Sequence, residues 1–339
     1  MSKGTVLITG ITGQDGSFLS KHLLQKEYKV IGIYRSQKNS IDRFFRLRRL
    51  GIFNQIDLKE LNLENIEELN LFLKKTNVNC IYHLAAQSSV EKSFYEKQLT
   101  KDSNITSTLN LISSLKKQNL NCKFIFPSSA SIYEGYSNKT VNENTIPKPK
   151  SEYAMSKYFI QNELENKKIY NNYFIPILFS HESEFRKQGY FSQKVILHLI
   201  DFAKNGFKKE LKVGNLRMSR DIGYADNYMN LLSLLADDTE IDKVIVSTNK
   251  LVQLLDFCLS ALRILNIDYE IDEKGDQINI LDKKSKNALI KSDKSSFRKI
   301  DLEGIKGDNS LALKNFNWKP IQELDFIVDR MIKFNFNNF

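Results

Sequence analysis

Near its start the chain carries the run Thr5-Val-Leu-Ile-Thr9, followed directly by Gly10-Ile-Thr-Gly13-Gln-Asp-Gly16-Ser-Phe-Leu. The apolar, β-prone run predicts a buried strand, and the pattern after the third glycine predicts a helix. Glycines at every third position permit a tight turn, let the backbone approach a pyrophosphate and let the helix pack closely on the sheet. Because the N-terminus of a helix binds negative charge, this order predicts a dinucleotide site. Its predicted cofactor-binding residues are Gly10, Gly13, Gln14, Asp15 and Gly16.

The end of the second predicted strand, residues 28–34, bears on which dinucleotide would bind. An NAD site usually places Asp or Glu there to hold the ribose hydroxyls, whereas this chain continues with Arg35 and Ser36. An arginine and a serine can bind the extra 2′-phosphate of NADP, so NADP is favoured and NAD is the alternative. Arg35 could also be an ordinary surface arginine at the end of a strand.

Strands and helices alternate along the first half of the chain. Further strands are predicted at 56–61, 79–84 and 122–126, with helices at 66–75 and 104–117. This alternation predicts an α/β fold with a doubly wound parallel sheet. Side chains expected beside the cofactor follow the third and fourth strands: Asn62, Leu63, Ala85 and Ala86.

Beyond about residue 180 the alternation loosens. Helices are predicted at 192–205, 227–235 and 308–316 and a strand at 243–248, while the polar stretch 274–294 is expected to be mobile. We therefore predict a dinucleotide-binding domain over 1–180 and a smaller α/β substrate lobe over 181–339, some of whose segments return to the first sheet.

Composition narrows the class of protein. The 339 residues hold 50 Lys and Arg among 40 Asp and Glu, and the net charge of +10 is spread along the chain, which does not favour nucleic-acid binding. The densest basic patch, 43–49, is read as a solvated or subunit-facing helix, or as a contribution to an anionic cofactor site. The three cysteines are too scattered for a disulfide framework or a metal site. Without an apolar run long enough for a membrane, these features predict a cytoplasmic enzyme with no metal.

The candidate catalytic residues follow the fifth strand. Ser129 stands at its end, and Tyr153 and Lys157 are spaced by one turn of a predicted helix, so both lie on one face. A lysine ammonium favours the ionised form of a phenol and lowers its pKa. Tyr153 could then take the proton of a sugar hydroxyl while a nicotinamide takes the hydride, and Ser129 could bind the same oxygen.

With these motifs the chain resembles the extended short-chain dehydrogenase/reductase family, with its Rossmann fold, and within it the GDP-mannose 4,6-dehydratases. The resemblance runs nearly end to end and is most specific at 8–17, 86–94, 177–183, 214–221, 307–310 and 318–320. It implies a GDP-sugar substrate, a homodimer or homotetramer, and a cofactor contact from His181, whose main role would be to shape its loop. His83 is read as a core histidine. The implied substrate-binding residues are Ser88, Ser180, Glu182, Lys194, Gly214, Asn215, Arg220 and Arg298.

The chain departs from this family at the step that removes water. The resemblance implies that a glutamate two residues after the catalytic Ser or Thr abstracts the C5 proton, and Ser131 occupies that position here. Glu134 and Glu152 are the nearest substitutes, although Glu134 is expected to point elsewhere. Ser180 and Gln193 replace an asparagine and an arginine of the family, and both are expected on the substrate side.

Three hypotheses follow. The chain could be a GDP-sugar 4,6-dehydratase, a C4 dehydrogenase, epimerase or 4-keto reductase acting on a related GDP-sugar, or a silent nucleotide-binding protein. The intact Ser129, Tyr153 and Lys157 disfavour the silent protein.

Overall fold

The structure, a computed structural model, describes residues 2–36, 42–237, 240–275, 277–297, 304–321 and 323–336. Its strands are β1 (Thr5–Thr9), β2 (Lys29–Tyr34), β3 (Asp57–Glu60), β4 (Cys80–His83), β5 (Lys123–Ile125), β6 (Ser128–Ser129), β7 (Thr140–Val141), β8 (Tyr173–Leu178), β9 (Ser180–Glu182), β10 (Leu211–Val213), β11 (Ser219–Tyr224), β12 (Lys243–Val246), β13 (Leu251–Gln253), β14 (Tyr269–Lys274), β15 (Gln277–Asp282), β16 (Ala288–Ser292) and β17 (Lys306–Gly307).

The helices are α1 (Gln14–Gln25), α2 (Phe45–Arg49), α3 (Ile66–Lys74), α4 (Val90–Ser93), α5 (Lys97–Lys101), α6 (Ser107–Lys117), α7 (Glu152–Glu165), α8 (Phe191–Asn205), α9 (Ala225–Leu234), α10 (Leu254–Ile264), α11 (Ser310–Phe316) and α12 (Leu324–Phe336). Within the described ranges, none of them has the length and apolar character that a membrane crossing requires.

The central sheet is parallel and doubly wound. Its order is β12-β8-β5-β4-β1-β2-β3, with β6 also paired to β8. Along β1, Val6 and Ile8 pack into one apolar core and Leu7 into the other, because successive side chains point to opposite faces of a strand. The predicted fold class is confirmed. The strand order reverses between β1 and β4, which places the crevice for a ligand at their carboxyl ends.

A third apolar core lies in the second half of the chain. It is formed by α8, α10 and α12 together with a four-stranded sheet of order β10-β16-β15-β14. Strand β12 and helix α9, by contrast, pack with the first sheet. The division into a dinucleotide-binding domain over 1–180 and a smaller lobe over 181–339 stays a prediction.

The structure of the polar stretch 274–294 differs from the prediction. Instead of a mobile segment it contains β15 and β16, which pair antiparallel with each other, while β15 also pairs with β14. Ile278, Ile280, Leu289 and Ile290 are all fully buried. Because buried apolar residues alternate with polar ones along β15, the mean composition of the stretch hid a regular sheet.

The turn after β1 is held by backbone contacts that only glycine permits. Gly10 has a φ of +72°, and a Cβ added to it would lie 2.8 Å from the amide nitrogen of Ala85. A Cβ on Gly16 would lie 2.5 Å from the carbonyl oxygen of Gly10 and 2.8 Å from the Cα of Ile11. At Gly13 the added Cβ would meet only the Gly10 oxygen, at 3.2 Å. Gly10 and Gly16 thus permit close packing, whereas an added Cβ at Gly13 has a single, less severe contact.

A buried histidine joins this turn to the helices behind it. The amide of Ala85 donates to Thr9 Oγ1 at 3.1 Å, and Thr9 Oγ1 lies 2.9 Å from His83 Nδ1. On the other side of the ring, His83 Nε2 lies 2.9 Å from Thr108 Oγ1, which donates to the Asn104 carbonyl at 2.7 Å. Since Thr108 uses its hydrogen there, Nε2 must carry the ring proton and Nδ1 must accept from Thr9. Burial lowers the pKa of His83 to about 3, so the ring is neutral, as expected for a core histidine.

We predict that Gly16→Ala lowers the free energy of unfolding by about 1–3 kcal/mol, because its methyl group would overlap the Gly10 carbonyl. Gly13→Ala is the matched control and should change it by less than about 1 kcal/mol. Urea unfolding without cofactor measures both. Equal stabilities for the two variants would contradict the close packing described for Gly16.

Candidate active site

The site lies where β1, β4, β6 and β8 end. Ser129, the last residue of β6, is followed by a single 3₁₀ turn over Ala130–Tyr133. The Ser129 hydroxyl accepts the amide hydrogen of Ser131 at 3.2 Å, and Ser131 itself is buried. This turn fixes both serines on the same short segment.

Helix α7 supplies the other two candidate catalytic residues. Ser151 caps its N-terminus, and the Ser151 hydroxyl accepts from the amide of Ala154 at 3.1 Å. Tyr153 lies in the first turn and Lys157 in the next, and both are buried. Lys157 Nζ donates to the carbonyl of Pro127 at 2.9 Å, which ties the helix to the segment just before Ser129.

Burial controls the protonation of this pair. It raises the pKa of Tyr153 to about 12, although a hydrogen bond from Ser129 acts in the opposite direction. Burial also lowers the pKa of Lys157 to about 8. The expected lowering of the phenol pKa by the lysine is therefore wrong for this structure, because desolvation of the phenolate outweighs the favourable contacts.

The first turn of α1 is joined to β9 by a partly buried ion pair. His181 Nε2 lies 3.1 Å from both carboxylate oxygens of Asp15, and His181 Nδ1 lies 2.7 Å from the carbonyl of Phe179. Burial alone would raise the pKa of Asp15, but the charge of His181, the hydrogen bonds from His181 and Gln14 and the charge of Arg186 together lower it to about 2. Burial would lower the pKa of His181, but the charge and hydrogen bond of Asp15, with the hydrogen bond to Phe179, raise it. Gln14, which accepts from the Ser183 hydroxyl at 2.7 Å, adds a second link.

Sequence reasoning missed two side chains beside Tyr153. The Arg186 guanidinium stacks 3.9 Å from the centroid of the Tyr190 ring, and both side chains act on the pKa of Tyr153. The Tyr190 hydroxyl lies 3.0 Å from Ser88 Oγ, and Arg186 Nε lies 3.3 Å from Glu182 Oε2. The predicted substrate residues Ser88 and Glu182 therefore gather around this pair. The signal was an arginine and a tyrosine directly beyond the 177–183 motif.

Arg46 is a further residue that only the structure singles out. Its guanidinium donates to the carbonyl of Thr12, in the glycine turn, at 3.0 Å and to the carbonyl of Phe185 at 2.9 and 3.0 Å. Arg46, part of the basic patch 43–49, therefore lies beside the glycine turn of its own chain. A contribution of this patch to an anionic cofactor site stays a prediction.

The remaining predicted cofactor residues line the ends of β2, β3 and β4. Arg35 is exposed, with its guanidinium 3.7 Å from Glu64, and Ser36 beside it is exposed as well. Asn62 accepts from the Glu64 amide, and Leu63 packs into the core. Ala85 and Ala86 lie half-buried after β4.

The predicted substrate residues of the second half are more dispersed. Ser180 lies on β9 and pairs with Ile222 of β11, the strand that carries the half-buried Arg220. Gly214 and Asn215 follow β10, and Lys194 is exposed on α8. Arg298 lies outside the described residues. Gln193, expected on the substrate side, is instead buried and donates to Asn335 of α12 at 2.9 Å.

Comparison with known proteins shows the family of the whole chain. The model of the GDP-mannose 4,6-dehydratase family matches residues 7–331. The chain belongs to the GDP-mannose 4,6-dehydratase family. The GDP-mannose 4,6-dehydratase of Vibrio cholerae serotype O1 is 29% identical over 350 residues, covering 98% of this chain and 93% of the relative.

Solved structures share the fold. The UDP-glucose 4-epimerase of Bifidobacterium longum, in complex with NAD⁺ and UDP, superposes with a TM-score of 0.81 at 19% identity over 98% of each chain. RMD from Pseudomonas aeruginosa, complexed with NADPH, gives 0.74 at 16% identity over 99% of this chain and 100% of that one. Membership of the family confirms the resemblance inferred from sequence and supports an enzyme that modifies a nucleotide sugar.

We predict that Asp15→Asn lowers the free energy of unfolding by about 2 kcal/mol near neutral pH, because it leaves His181 without its ionic partner. The depressed pKa of Asp15 gives stability that is present above about pH 4 and is lost as the pH falls toward about 2. The raised pKa of His181 gives stability that is lost as the pH rises through that raised value. The difference between the variant and wild type should thus be largest between about pH 4 and 6.5.

Urea unfolding across this pH range measures the effect. Asp42→Asn, which removes an exposed partner of Arg48, is the control and should change stability by less than about 1 kcal/mol. A loss in Asp15→Asn that does not vary with pH would show that packing, rather than the ion pair, is responsible.

Proposed function

We propose that this protein oxidises or reduces C4 of a GDP-linked sugar, using a nicotinamide cofactor, without removing water from the sugar. The proposal is supported by the hydrogen bonds and ion pairs of the carboxylates near Ser129 and Ser131. Ser131 stands where the family resemblance implies the elimination base. The two acidic side chains nearest to it in the catalytic segments are both engaged elsewhere.

Glu134 cannot readily serve as a base. One carboxylate oxygen accepts the amides of Ser151 and Lys150, at 2.7 and 3.2 Å, and the other accepts the Ser151 hydroxyl at 2.9 Å. Glu152 is paired with Lys97 at 3.0 Å. A neutral serine hydroxyl is a far weaker proton acceptor than a carboxylate, so the C5 proton would lack an acceptor.

The glycine turn fits a dinucleotide. Gly13, the N-cap of α1, is exposed, and a Cβ added to it would meet only the Gly10 carbonyl oxygen, at 3.2 Å. Backbone N–H groups at this helix N-terminus could bind a pyrophosphate. Arg35 and Ser36 could bind a 2′-phosphate, which favours NADP over NAD. Proteins of the same fold have been solved with NADPH, in RMD, and with NAD⁺, in the Bifidobacterium epimerase. When bound, the cofactor supplies the hydride acceptor or donor for C4.

The chain's own residues would handle the proton. With a pKa near 12, the Tyr153 phenol is protonated at neutral pH and suited to donate to the oxygen of a 4-keto sugar. In the opposite direction its phenolate form must accept the hydroxyl proton, and the charge of Lys157, one turn away, would have to offset the burial that opposes this form. Ser129, which acts on the pKa of Tyr153, would hold the same sugar oxygen.

A 4,6-dehydratase is the second candidate, because the family model and the Vibrio relative both carry that activity in their names. It would require a proton acceptor other than a side chain at position 131. In either case a homodimer or homotetramer remains our expectation.

We predict that the purified protein, incubated with GDP-mannose and NADP⁺, forms no product that has lost water, as read by mass spectrometry of the nucleotide sugar. Ser131→Glu should form or strongly increase such a product, because it restores a carboxylate at the family position. Ser131→Gln, of similar size but uncharged, is the control and should not. Loss of water by the wild type would contradict the proposal and favour the dehydratase.

A further inference from the structure

A carboxylate with no catalytic assignment is buried between the two catalytic segments. Glu134 is only 4% exposed and directly follows the 3₁₀ turn that carries Ser131. Its three hydrogen-bond donors all come from Lys150 and Ser151, at the start of α7, and none is a charged side chain. Burying a carboxylate is unfavourable unless hydrogen bonds compensate, so the burial of Glu134 depends on these three donors.

Those donors belong to the N-terminus of the catalytic helix. Ser151 is the N-cap of α7, and its hydroxyl both donates to Glu134 and accepts from the Ala154 amide. A carboxylate at this end of a helix is stabilised by the free N–H groups and by the helix dipole. Glu134 therefore caps α7 through Ser151, from a different segment of the chain.

Neighbouring contacts make the connection rigid. The Gly135 amide donates to the Lys148 carbonyl at 2.8 Å, and the Lys148 amide donates to the Ile132 carbonyl at 2.7 Å. A Cβ added to Gly135 would lie 2.4 Å from Lys148 Cβ, so the two backbones are in close contact. We call segments 132–135 and 148–151 together the strap.

We propose that Glu134 is a positioning residue that sets Tyr153 relative to Ser129. Ser129 stands five residues before Glu134, and Tyr153 stands two residues after the serine that Glu134 holds. Within the strap, the Glu134 carboxylate links segment 132–135 to segment 148–151 by hydrogen bonds from Lys150 and Ser151. Because its role is to accept hydrogen bonds, an amide should replace much of it, whereas a proton-abstracting base cannot be replaced by an amide.

The test compares Glu134→Gln with Glu134→Ala. This inference rests on the proposed function only for its kinetic readout, the kcat of NADP-linked turnover at C4. We expect Glu134→Ala to lower kcat roughly ten- to hundredfold with the KM for NADP unchanged, since the glycine turn is untouched, and Glu134→Gln to recover most of the loss. Glu152→Gln is the control: it removes a first-turn charge of α7 outside the strap and should leave kcat within about twofold.

Hydrogen–deuterium exchange supplies a readout that does not need the activity. Amides of residues 152–157 should exchange roughly tenfold faster or more in Glu134→Ala, and near the wild-type rate in Glu134→Gln, while thermal melting confirms that both variants fold. A kcat as low in the glutamine variant as in the alanine variant would overturn positioning and make Glu134 a base. Unchanged exchange in the alanine variant would overturn it too. If wild type turns over no GDP-sugar, the proposed function fails while exchange still decides the role of Glu134.

Discussion

The close approach of the glycine turn to the end of β4 is the constraint on which the site depends. Gly10 leaves no room for a side chain beside Ala85, and Thr9 bonds the Ala85 amide directly. From Thr9 a chain of buried hydrogen bonds runs through His83 to Asn104, whose side chain donates to Ser156 Oγ, and Ser156 donates to the Tyr153 carbonyl. The glycine turn and helix α7 are thus parts of one packed unit.

Buried and partly buried carboxylates connect the remaining segments of the site. The Asp15–His181 pair joins the first helix to β9, and Glu134 joins the loop of Ser131 to α7. In both places a carboxylate sits near the start of a helix, where the helix dipole favours negative charge. Because these carboxylates are committed to holding the site together, they are poor candidates for taking a proton from the sugar. In the proposed function, that commitment is the physical basis for separating C4 redox chemistry from elimination.

Local patterns were sufficient to predict the sheet, the glycine turn and the Tyr153–Lys157 spacing, since each depends on residues close together in sequence. They were insufficient where partners are distant. The strands in 274–294 form because alternate residues such as Ile278 and Ile280 are buried, Gln193 turns toward Asn335, and burial sets the pKa of Tyr153. Arg186 and Tyr190 likewise become recognisable only when the fold brings them to Ser88 and Glu182.

The fate of the hydrogen on C4 tests the central claim most directly. GDP-mannose carrying deuterium at C4 would be incubated with the protein and NADP⁺, and the label located by NMR. C4 redox chemistry without elimination predicts that the label moves to the nicotinamide or returns to C4, in a sugar that keeps its C6 hydroxyl. Deuterium at C6 of a product that has lost water would contradict the account, because it would require the C5 proton to have been removed.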